Sequence, residues 1–143
     1  MSAWSHLPNA VHIGRVLESI KSHPEVWNSA RDAAYGASWY ASWYAARYAA
    51  RDAARDAARD AARDAAWYAV YTLNTVSAER WRGARDVAWG SILALIAYDD
   101  AAKYLNMTSD QLRVWAVLSE DPAAILLLPA VVAYEKISEL ETA

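Results

Sequence analysis

The chain predicts an all-α helical bundle of about five helices, on three observations. From Ala30 to Leu73 a four-residue unit repeats without losing register, with small residues in its first and fourth places and Arg, Asp, Trp or Tyr in the middle two. The segments on either side carry apolar residues at helical spacing behind recognisable start signals. No β-hairpin signal occurs.

The first helix is expected from about Pro8 to Ser22, because Ile13, Val16, Leu17 and Ile20 fall on one face. Pro24 closes it and serves as a first-turn residue for the next helix. That second helix contains the repeat. Alanine has the best helix propensity, and Asp52 with Arg55, Asp56 with Arg59 and Asp60 with Arg63 pair at three-residue spacing. Like charges every fourth residue partly cancel this gain, so propensity carries most of the local preference. A four-residue period advances about 400° on a 3.6-residue helix, so the small-residue stripe drifts about 40° per unit. One straight partner follows it for only three or four units. As a single rod the repeat would be about 66 Å long, against roughly 38 Å across for a compact chain of this size. Either Gly36 interrupts it, or the molecule is elongated, or other protomers cover the protruding part.

Asn74 to Ser77 reads as a turn, with Ser77 as N-cap and Glu79 in the first turn of a third helix. This helix continues through Trp81, Val87, Ile92, Leu95 and Ile96 as far as Leu105, and is expected at the centre of the core. Thr108 and Gln111 make a capping box for a fourth helix carrying Leu112, Trp115 and Leu118. Asp121 and Pro122 form an N-cap and first-turn pair for a fifth. It runs through Ile125 to Leu128, where Pro129 kinks or restarts it before Val131 to Leu140. The expected organisation is one helical domain over 1–143: an N-terminal helix in 1–23, the repeat in 24–74, and an apolar helical part in 75–143.

Composition narrows the function classes. A net charge of -3 with a pI near 5.5 gives no bulk attraction to nucleic acid or an anionic membrane. With no cysteine there is no disulfide framework and no thiolate chemistry, which suits a reducing cytoplasm. The N-terminal residues lack the basic and apolar regions of a secretory signal. The longest apolar stretch, Ala123 to Ala133, is about half the roughly 20 residues a membrane helix requires. A soluble protein is expected. The aromatic inventory is uneven, with 8 Trp, 9 Tyr and no Phe. Trp and Tyr join an apolar body to a polar handle, which suits interfaces and stacking on flat ligands, although drift within a low-complexity repeat gives the same counts.

Catalytic patterns are absent from the sequence. His6, His12 and His23 are not paired with acids at ligand spacing, and neither HExxH nor ExxH occurs. Walker, GxGxxG and GxSxG loops are missing too. Asp99 and Asp100, with Lys103 one turn on, would point about 100° apart on a helix and read as solvated charge. No cofactor is expected, and no enzymatic activity. In the central repeat each Arg has an Asp beside it, which disfavours duplex nucleic acid. The candidate ligand site lies where the repeat changes character: Trp43, Tyr44, Arg47, Tyr48 and Arg51 form one set, and Trp67, Tyr68, Arg80, Trp81 and Arg82 a second if the helices fold back antiparallel. Aromatic faces stack bases and guanidinium groups hold phosphates. The same residues equally describe an aromatic core with cation-π or snorkelling arginines.

The repeat, followed by Asp99, Asp100 and the segment DPAAILLLPA at Asp121 to Ala130, resembles Ala-rich tetrapeptide-repeat proteins encoded by tailed phages and bacteria. The resemblance covers about Ala30 to Ala133 and carries no catalytic residue. It implies a phage accessory protein acting in the host cytoplasm, of a kind that blunts host defence. Two functions are thus expected in competition. One is a homo-oligomer that sequesters a small anionic ligand such as a cyclic or signalling nucleotide. The other is a structural or interaction module that binds a host protein through aromatic helix faces.

Overall fold

A computed structural model describes residues 4–34, 78–119 and 121–142. Among them the fold is all-α, with α1 at Ala10–Ser22, α2 at Pro24–Ala34, α3 at Ala78–Ala97, a 3-10 helix at Ala101–Asn106, α4 at Ser109–Ser119, α5 at Pro122–Leu126 and α6 at Leu128–Thr142. Most of the repeat, with Gly36 and the Ser77 cap, lies outside the described residues, as does the question of how the repeat is interrupted.

The N-terminal pair closes on the C-terminal helices. α2 packs on α6 and α3, and α1 lies along α3. Ile13, Val16, Leu17 and Ile20 of α1 are all buried, as their spacing requires. α1 begins at Ala10 rather than Pro8, and the reason is chemical. Asn9 occupies the N-cap position but makes no cap with its side chain. Its amide nitrogen instead donates to the carbonyls of Leu95 at 2.7 Å and Tyr98 at 2.8 Å. It thereby satisfies carbonyls left open at the end of α3. This also bears on the third helix, which stops at Ala97 instead of reaching Leu105: the Leu95 carbonyl is given to Asn9, and the chain tightens into 3-10 turns from Ala101.

α2 opens at Pro24 and takes the first repeat unit into the helix. Ala30 is fully buried, Arg31 and Asp32 are exposed, and Ala33 is half-buried. Small residues face inward and charges outward. Gly83 of α3 lets the two helices approach, since a Cβ there would stand 3.2 Å from the Asn28 side-chain oxygen. Trp27 of α2 meets Tyr134 of α6 edge-on at 6.0 Å, and the Arg15 guanidinium lies 4.8 Å from the same Tyr134 ring. The Trp27 indole N–H donates to Ser19 at 3.0 Å, joining α2 back to α1.

α3 is open to solvent on one side in its first turns, where Glu79, Arg80, Arg82 and Asp86 are exposed, and enclosed from Val87 to Leu95 apart from half-buried Trp89, which explains its mixed apolar pattern. The start signals beyond it are realised. Gln111 N–H donates to Thr108 Oγ1 at 3.2 Å while Thr108 N–H donates to Gln111 Oε1 at 3.1 Å, a reciprocal capping box. Asp121 accepts from Ala123 N–H at 3.0 Å, with Pro122 in the first turn of α5. The chain breaks at Leu127 and restarts, so Pro129 falls in the first turn of α6, where its missing N–H is not needed. The Ser91 hydroxyl donates to the Leu126 carbonyl at that break, 3.1 Å away.

Candidate interaction surface

α4 has two faces of different fate. Its Leu112 and Ala116 are buried against α5 and α6. Val114, Trp115 and Leu118 point away from the core and are 62, 42 and 73% exposed. Leu118 stands three residues from Trp115 and four from Val114, so the three share the outer side of α4, and half-buried Met107, just before the helix, extends the apolar stripe. A hollow of about 590 Å³ lined by Met107, Asp110, Gln111, Val114 and Trp115 runs along it. Other exposed large apolar residues, Val11 on α1 and Leu140 on α6, stand singly among the described residues, which is ordinary for a soluble surface.

The stripe is held on its inner side by polar contacts. The Trp115 indole N–H donates to the Tyr104 hydroxyl at 3.0 Å. That hydroxyl donates in turn to Asp121 Oδ2 at 2.5 Å, while Asp121 Oδ1 caps α5. Tyr104 is 1% exposed, and burial together with the Asp121 hydrogen bond pushes its hydroxyl above the ordinary tyrosine range. It therefore stays a neutral donor. Ser109 N–H donates to Glu135 at 3.2 Å, and Arg113 donates to the Ala33 carbonyl at 3.0 Å at the end of α2. α4 is thus fastened to α6, α5 and α2, and its outer residues stay fixed in space. In the sequence Asp121 stands out as a cap and Trp115 as a residue of the fourth helix, and nothing there joins them through Tyr104. Their separation along the chain hides the relay, and only the 3-10 turn brings Tyr104 between them.

Of the ten candidate ligand residues, Trp43, Tyr44, Arg47, Tyr48, Arg51, Trp67 and Tyr68 lie outside the described residues. The remaining three sit at the start of α3. Trp81 is 2% exposed in the core, so a base stacking on it would have to displace its neighbours. Arg80 forms an ion pair with Glu25 at 2.8 Å, which ties α3 to α2. Arg82 is exposed. The burial of Trp81 agrees with the aromatic-core alternative, while Arg80 is held by an ion pair rather than by a ring face.

Asp99 and Asp100 require a correction of place. They lie in the turn after α3, not on it, and both are exposed. Asp100 accepts from Lys103 at 2.9 Å, and that hydrogen bond holds its carboxyl below the usual range. Among the described residues no group of three His, Cys, Asp or Glu could hold a metal ion, and no helix is long and apolar enough to cross a membrane. No protein-family model, curated protein or solved structure matches the chain.

Proposed function

We propose that the protein is a helical binding module that associates with a second copy of itself through the outer face of α4. The observation that carries this reading is the apolar stripe of Val114, Trp115 and Leu118, left open on a helix whose other face is firmly packed. An uncharged stripe makes no demand for a partner of opposite charge, and a two-fold axis lets one such face cover its own copy. Four side chains cover less than the roughly 800 Å² per partner of a standard interface, so the association is weak and concentration-dependent. Sedimentation velocity across a micromolar range tests it: the wild type should rise above single-chain mass, and the double variant Val114→Ser, Leu118→Ser should not. A single-chain mass for the wild type at every concentration would sink the reading.

The second reading is sequestration of a signalling nucleotide in phage counter-defence. Exposed Arg82, a guanidinium open to an anionic ligand, supports it. A ligand at 100 times its Kd should stabilise the protein by about 2.7 kcal/mol. Melting temperatures that ignore every cyclic and linear nucleotide offered would remove this reading and leave the first.

A further inference from the structure

We infer that Tyr104 is a positioning residue for the α4 surface: it turns the Trp115 indole N–H inward, so that at Trp115 the surface offers ring carbon and no hydrogen-bond donor. The partner it fits is then a helix face with aliphatic carbon, and no carbonyl or carboxylate, opposite the indole, which Val114 and Leu118 of a second copy supply. This choice of partner rests on the association proposed above. The role of Tyr104 stands on geometry alone.

Three observations converge on it. Trp115 is 42% exposed, so its ring could turn outward and offer the N–H to water, yet that N–H lies 3.0 Å from a hydroxyl that is itself buried. The hydroxyl cannot turn away, because its own proton is committed to Asp121 at 2.5 Å, which leaves a lone pair as the acceptor for the indole. Asp121 is fixed in turn by the Ala123 N–H at 3.0 Å. Each donor has one acceptor, and the chain ends in backbone. An outward indole donor would favour polar partners, so the relay selects by removing that option.

The test uses the full chain labelled with 15N, the Trp115 indole resonance being identified by its loss in Trp115→Phe. In the wild type the indole N–H should exchange with solvent on the order of tenfold more slowly than a free indole. Tyr104→Phe should abolish that protection and weaken self-association about 3- to 10-fold, the loss expected for one net hydrogen bond. Asn9→Ala, which removes a remote contact of α1 with α3, serves as the stability control and should leave association unchanged. Exchange at the free rate in the wild type, or protection that survives Tyr104→Phe, would overturn the positioning role. If Tyr104→Phe does not fold, the wild-type exchange rate still decides. Association that is unaffected by Tyr104→Phe but lost in Val114→Ser, or equally weakened by Asn9→Ala, would overturn the selection of partner. A wild type that never associates fails the proposed function, while the indole exchange still reads Tyr104.

Discussion

α4 and the segment from Ala123 to Ala133 are both rich in apolar residues, but they are used in opposite ways. In the second, spanning α5 and the start of α6, every residue is buried. α3, α4 and the 3-10 helix surround it, so each side of the helix finds a neighbour. α4 lies outside this layer, and among its described side chains only Leu112 and Ala116 are buried. The difference teaches that apolar content does not assign a residue to the core. Position among neighbours does, and the surplus left on α4 becomes a surface available for binding.

The sharpest way to break this comparison is a truncation on each side of it. Leu126→Ala, at a fully buried position, should cost about 2 to 5 kcal/mol, read as a fall in the denaturation midpoint. A cost below about 1 kcal/mol would show that the α5 to α6 segment is less enclosed than its burial says. Polar contacts also belong to the core side. Asn9→Ala strips the Leu95 and Tyr98 carbonyls of a buried donor and should cost about 1 to 3 kcal/mol, with faster amide exchange at the end of α3.

Past the fully buried segment, Tyr134 tests enclosure through pH. Burial pushes its hydroxyl from 10.0 up to about 12, against a smaller lowering by Arg15. A pKa raised by folding gives stability that is present in full below the unfolded value and is lost as pH rises through the folded one. Stability should therefore fall between about pH 10 and 12, by at most about 1.4 kcal/mol per pH unit from this group. Tyr134→Phe should flatten the decline, and because the hydroxyl is a buried group without a hydrogen-bond partner the change should cost little at pH 7. The smallest effect belongs to the open face: Leu118→Ser, at a side chain 73% exposed, should alter stability by no more than about 0.5 kcal/mol. A loss comparable to that of Leu126→Ala would mean that Leu118 is covered after all.

Much of the fold was legible because its signals are local. The stripe on α1, Pro24, the Thr108 and Gln111 box, the Asp121 and Pro122 pair and the restart near Pro129 depend on residues within a turn of one another, and the structure realises them. The end of α3 was misplaced because a residue far away in sequence, Asn9, takes its carbonyl. The α4 surface was not legible. Leu112, Trp115 and Leu118 read alike as apolar residues of a fourth helix, with nothing to separate the one that is buried from the two left outside, and Tyr104 gave no sign of its two partners.

The division between sequence and tertiary structure is plainest in two similar tetrads. Ala30, Arg31, Asp32 and Ala33 in α2, and Ala84, Arg85, Asp86 and Val87 in α3, are helical by propensity and carry a small residue at the first position, a phase that needs nothing beyond the residues themselves. Ala30 and Ala84 are both fully buried. The arginines part company: the Arg31 side chain is 54% exposed, whereas Arg85 is 4% exposed. Local chemistry determined the helix and the phase of its small residues, because backbone preference and periodicity act within a few turns. How much of the helix circumference is covered was decided only by tertiary packing, because it depends on how many neighbours arrive from elsewhere in the chain.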